Sequence, residues 1–177
     1  MFFVTVPTWK QSIPSQHLAY QTQSEMVILS LDQQNLVNEY HELLNQVKIP
    51  ISYEQCEQQP GLILYGYYDR IDNLMVLCKD AIKQSHEYVE TLVHESWHAV
   101  QDCIDGLDNS EITPFLTKDP DLLTMMLNNL TPTEVENILH NYEKVDQAYE
   151  IEAFFLQKYP NLVLKGLNTC VIQAASG

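Results

Sequence analysis

Leu31, Leu36, Val37, Tyr40, Leu43, Leu44 and Val47 recur at three- and four-residue spacing, the period of a helix that buries one face. Ser30 or Asp32 can cap it and Pro50 lies beyond its end, so a helix is expected over residues 31–47. The period then changes. Residues 49–56 alternate like a strand, Pro60-Gly61 marks a turn, and residues 62–68 are rich in strand formers. Residues 69–73 read as a second turn and residues 74–78 as the next strand. A small antiparallel sheet is expected over residues 49–78. Residues 1–30 are broken by Pro7 and Pro14, with Met26-Val27-Ile28-Leu29 a candidate short buried strand.

The second half reads as helical. Ser85 is a candidate cap, Glu87 suits the positive end of the helix dipole, and Gly106 closes a helix over residues 86–104. Residues 105–110 form a loop in which Asp108 and Asn109 either line a cleft or are solvated. Asp119-Pro120 opens a helix, and Thr131-Pro132-Thr133-Glu134 combines a capping box with Pro at the first helical position. That helix is expected to pass through His140 to about residue 159, with a break near Asn141, and to stop at Pro160. Residues 161–177 fit a helix or a strand. The pattern describes one α+β domain: an N-terminal part (1–48), a small sheet with a long helix (49–106) and a helical part (107–177).

The long helix carries His94-Glu95-Ser96-Trp97-His98, which reads H-E-x-x-H. Residues four apart share a helix face, so both imidazoles can converge on one point. Two neutral imidazoles at that spacing suit Zn²⁺. Glu95, displaced about 100° around the helix, can reach a zinc-activated water without ligating the metal, the general-base position of a zinc hydrolase. The bland alternative is two core histidines that satisfy local hydrogen bonds.

Catalytic zinc usually takes three protein ligands. A His six residues after His98 is ruled out, because Gln101 and Ile104 stand at the diagnostic places, and Asp102 and Asp105 are out of register. The remaining source is a Glu on a later helix. Asp146-Gln147-Ala148-Tyr149-Glu150-Ile151-Glu152-Ala153-Phe154-Phe155 offers two. They lie about 200° apart around the helix, so one can point at the metal. If Tyr149, Ala153 and Phe154 mark the buried side, Glu150 is nearer its middle. Glu152 stays open as the alternative.

The strand at 74–78, then Thr91-Leu92-Val93-His94-Glu95-x-x-His98-Ala99, then the helical Glu-x-Glu-Ala-Phe, resemble a minimal gluzincin of the zincin-like metallopeptidases. The layout is similar to that of ImmA/IrrE-type peptidases over roughly residues 60–156. The resemblance implies a zincin-like fold, with the small antiparallel or mixed sheet packed on the metal helix. It also implies Glu150 as third ligand, three residues before Ala153 in an E-x-x-A pattern. The family's Asp or Asn at the next place is Phe154 here, which leaves Glu152 open and makes Asp146 or Asp102 the candidate supporting residue. In such folds a substrate peptide adds to an edge strand, which here would be the strand at 74–78. The implied activity is zinc-dependent hydrolysis of peptide bonds in a peptide or protein substrate. Tyr142, Tyr149, His140 and Arg70 are the candidate second donors to the oxyanion. A metal-binding regulatory module without turnover is the alternative, against which Glu95 argues, since a structural site needs no base beside its ligands.

Composition narrows partners. With 9 Lys+Arg against 24 Asp+Glu the formal charge is −15, and Arg70 is the one arginine, which argues against phosphate-directed nucleic-acid binding. No run of 18 apolar residues suggests a membrane span. The N-terminus lacks a basic region followed by a long apolar one, so a cytoplasmic protein is expected. The cysteines at 56, 78, 103 and 170 contain no Cys-x-x-Cys pair, and in that setting four reduced, mostly buried thiols are expected.

Overall fold

The computed structural model describes residues 27–58, 63–107 and 112–176. Calls on residues 1–26, the Pro60-Gly61 turn, Asp108 and Asn109 fall outside them. Within them, six helices and three strands follow in the order α1 (Leu31–Gln46), β1 (Ile51–Glu54), β2 (Gly66–Asp69), β3 (Leu74–Cys78), α2 (Ser85–Asp105), α3 (Pro120–Asn129), α4 (Pro132–Asn141), α5 (Gln147–Leu156) and α6 (Pro160–Ala174). The α+β class stands. Residues 27–29 do not form a strand, and Ile28 faces solvent.

Helix starts follow side-chain chemistry. Ser30 caps α1 in a reciprocal box with Gln33, Asp119 caps α3, and Thr131 caps α4 with Glu134 closing the box. At α2 the cap is Gln84 in place of Ser85, because the Glu87 carboxylate turns back to accept the backbone N–H groups of Lys83 and Gln84. The break near Asn141 is present: α4 ends there and α5 begins at Gln147. Pro160 does more than stop the preceding segment. It occupies the first turn of α6, where its missing N–H costs nothing, and this settles 161–174 as helix.

The sheet is mixed, with strand order β1-β3-β2. β3 pairs parallel to β1, with Ile51 opposite Met75, and antiparallel to β2, with Gly66 opposite Leu77. The strand read as an edge is therefore the central one. Leu-Met-Val-Leu-Cys is an unbroken apolar run buried over Met75–Cys78, as a strand covered on both sides requires. β1 and β2 are the edges.

α2 is the axis of the core. Leu92, Val93, Trp97, Ala99 and Val100 join Met75 and Leu77 of β3, Leu44 of α1, Ala153 of α5 and Leu167 of α6 in one apolar cluster. α6 approaches α2 closely at Gly166, where a Cβ would stand 3.0 Å from Val100 Cγ1. Two disulfides, Cys56–Cys78 and Cys103–Cys170, tie the residues after β1 to β3 and the end of α2 to α6. The expectation of reduced thiols is thus corrected. The fold brings cysteines distant in sequence within bonding reach, which spacing along the chain does not reveal.

Candidate functional site

His94 and His98 lie on the face of α2 that meets α5, and both are buried. Their Nε2 atoms stand 3.2 Å apart. Glu150, in the first turn of α5, brings its carboxylate to 3.4 Å from His94 Nε2 and 3.5 Å from His98 Nε2. One ligand atom from each residue fits inside a 4.8 Å span. Glu150 is the carboxylate that the fold brings to the histidines. Glu152 points elsewhere, as its place about 200° around the helix demands.

The outer ring nitrogens are held by amides. His94 Nδ1–H donates to Gln157 Oε1 at 3.0 Å, and His98 Nδ1–H donates to Gln101 Oε1 at 2.8 Å. Gln101 in turn donates through Nε2 to the Tyr149 carbonyl (3.2 Å) and to Glu152 Oε2 (2.9 Å). Glu152 also accepts from Trp97 Nε1 (3.3 Å), and its other oxygen accepts from the backbone N–H (2.8 Å) and hydroxyl (3.0 Å) of Thr117. Trp97 packs on Phe115 as a core residue.

Each of the two candidate aspartates accepts a tyrosine hydroxyl. Asp102 accepts the Tyr68 hydroxyl at 2.7 Å, and Asp146 accepts the Tyr149 hydroxyl. Phe154 packs edge-on against His94, with ring centroids 4.8 Å apart, which leaves no polar atom where the family pattern has one. The supporting groups missed in the sequence are Gln101 and Gln157. Gln101 carried a usable signal: an amide three places after His98, on the same face of the helix.

Glu95 is buried beside the cluster, with the backbone N–H of Tyr68 on edge strand β2 near its carboxylate. Burial holds its carboxyl above the usual range, against the pull of the two imidazoles. The electrostatics of the pocket call for positive charge. Burial lowers the His94 imidazole, but the Glu150 carboxylate 3.4 Å away and the charge of Glu95 outweigh that and push it up to about 9. Burial likewise raises Glu150, yet His98 and His94 draw it below its ordinary value. Glu150 Oε2 is buried with no hydrogen-bond partner, a costly state for a carboxylate oxygen without a cation. Two imidazoles and a carboxylate, one oxygen of it orphaned, form a donor set that fits a metal ion.

Of the four candidate oxyanion donors, Tyr142 is at the site. Its hydroxyl lies against Glu150, and burial together with the charges of Glu150 and Glu95 drives its pKa upward, so the hydroxyl stays protonated. The Tyr149 hydroxyl is committed to Asp146 while its ring edge meets His98. His140 is exposed and bonded to the Glu136 carbonyl, and Arg70 is exposed on the turn after β2. Comparison with protein-family models, with characterised proteins and with solved structures finds no match to this chain.

Proposed function

We propose that this chain is a zinc-dependent metallopeptidase of the gluzincin type, acting on a peptide or protein substrate. The observation that carries the reading is the convergence of His94, His98 and Glu150, with Glu95 beside them. Imidazole nitrogens and a carboxylate oxygen are a donor set that would suit zinc. The two Nε2 atoms stand 3.2 Å apart, and a different oxygen of Glu150 approaches each, Oε2 at 3.4 Å from His94 and Oε1 at 3.5 Å from His98, so all three side chains face one point. A zinc ion held there supplies Lewis-acid activation of water and polarisation of the scissile carbonyl.

The chain's own residues do the rest. Glu95 takes the proton from the attacking water and passes it to the leaving amine, and a carboxyl raised by burial is tuned in the direction a general base needs. Tyr142 donates to the developing oxyanion. Gln101 and Gln157 hold the imidazoles in place. No helix among the described residues is long and apolar enough to cross a membrane, and nothing in the chemistry of the site calls for nucleic acid. The two disulfides favour oxidising surroundings over the cytoplasmic setting read from the N-terminus.

Metal analysis by mass spectrometry tests the proposal, using protein purified without added metal. About one zinc per chain is expected in the wild type, lost in Glu150→Gln. Glu95→Gln should keep its zinc and lose hydrolysis of a mixed peptide library. A folded wild type that neither carries zinc nor takes it up when offered would overturn the reading.

A further inference from the structure

The structure assigns Glu152 and Gln101 a positioning role: as a pair they dictate which ring nitrogen of His98 is left bare. The assignment rests on the metal reading above but concerns residues outside the ligand set.

Glu152 is fully buried, and among the described residues no Lys or Arg pairs with it. A carboxylate in such a place is costly unless its oxygens are well satisfied. Here each oxygen takes two donors. Oε2 accepts from Trp97 Nε1 and Gln101 Nε2, and Oε1 accepts from the N–H and hydroxyl of Thr117. An ionised carboxylate is acceptor-only at both oxygens. A glutamine at 152 would turn an NH₂ toward donors whichever way it lay.

The consequence passes through Gln101, itself fully buried. Glu152 Oε2 and the Tyr149 carbonyl are both acceptors, so the group facing them must be the Gln101 NH₂. Its carbonyl oxygen then faces His98 Nδ1 at 2.8 Å. Only an N–H can meet it there, so Nδ1 carries the proton and neutral His98 keeps a lone pair on Nε2. That nitrogen faces His94 and Glu150. If Gln101 turned over, its NH₂ would face Nδ1, the proton would move to Nε2, and the ligating atom would be blocked. Thr117 extends the relay to the segment that leads into α3, so three parts of the chain converge on this one choice of tautomer.

The test uses the full chain. Zinc affinity is measured by competition with a chromophoric chelator. The His98 tautomer is read from ¹⁵N–¹H imidazole correlations on zinc-free protein. The wild type should show His98 with Nδ1 protonated. Glu152→Gln should raise the share of the Nε2–H form and weaken zinc binding roughly tenfold to a hundredfold. The double exchange Gln101→Glu with Glu152→Gln returns an acceptor to His98 Nδ1 but sets a carboxylate oxygen against the Tyr149 carbonyl and an NH₂ against Trp97 Nε1, so it should recover the tautomer while zinc affinity stays below wild type. A role confined to packing would give no such rescue. The assignment is overturned if Glu152→Gln keeps wild-type affinity and tautomer, or if the double exchange does not recover the tautomer. Should Glu152→Gln fail to fold, Gln101→Met decides: weaker zinc binding supports the relay, and unchanged binding sinks it. If the wild type takes no zinc, the peptidase reading falls, while the tautomer in the zinc-free protein still decides the relay.

Discussion

His94 Nε2 and His98 Nε2 face one another across 3.2 Å, and each ring has already committed its Nδ1–H to a glutamine. Two neutral imidazoles so placed point lone pairs at each other and at a carboxylate. The arrangement holds together only around positive charge, either a proton shared in the pocket or a metal ion. A ligand that binds the folded chain alone stabilises it by mass action, about 2.7 kcal/mol at a free concentration a hundred times its Kd. For a chain of this size that is a rise in Tm of roughly 5–10 °C. Thermal melts with added zinc and with excess chelator should differ by about that much, and His98→Ala should erase the difference. Equal melting of the wild type under both conditions would count against any metal in the pocket.

The disulfides predict a chemical count. Unfolded in guanidinium chloride without reductant, the protein should present no reactive thiol to a colorimetric reagent, and after reduction it should present all four cysteines. Cys103–Cys170 spans 67 residues and fastens the end of α2 to α6. Replacing both by Ser should cost about 2–4 kcal/mol, visible as a lower midpoint in denaturant. Four thiols reacting without reduction would refute both pairings.

Gly66 lets β2 lie against α2. A Cβ there would stand 2.7 Å from Thr91 Cγ2 and 2.7 Å from the Val76 carbonyl oxygen. The backbone oxygen belongs to central strand β3 and cannot step aside, so β2 itself must move. Gly66→Ala should lose about 1–3 kcal/mol of stability, the usual scale of overpacking. It should also lower turnover, because β2 carries the Tyr68 backbone N–H that lies near the Glu95 carboxylate. Denaturation in urea beside a peptidase assay checks both. Unchanged stability would mean that the strand has more room than its contacts imply.

What was legible in the sequence was local. Helix starts at Ser30, Asp119 and Thr131 depend on side chains within three residues, and all three lie where capping chemistry puts them. His94 and His98 were readable because helical spacing alone places them on one face. Sheet order was not readable. The apolar run at Leu74–Cys78 does signal a covered strand, but the partner on each side depends on where the chain crosses between β1 and β2. The choice between Glu150 and Glu152 turned on the rotation of a ten-residue helix. Both carboxylates are buried, so burial could not separate them. The destination of each could: one meets lone pairs, the other four donors. Disulfide pairing and the glutamine supports are long-range in the same sense.

Tyr142 and Tyr149 are a matched pair for testing the second oxyanion donor. Both phenols are pushed to higher pKa, each by burial first, so both keep their protons at neutral pH. They differ in where the proton goes. Tyr149 gives its hydroxyl to Asp146 and offers the site only its ring edge. Tyr142 sits at the end of α4 with its hydroxyl among the charges of Glu150 and Glu95. Its ring is set against Phe154, which in turn braces His94. Removing one donor that acts mainly on the transition state typically costs about 10²–10³ in kcat. Tyr142→Phe should approach that loss with its zinc content intact and KM little changed, since the effect belongs to the transition state. Tyr149→Phe should stay within a few-fold of wild type. Equal losses in both variants would point to packing around His94 and His98 and would remove Tyr142 from the chemistry.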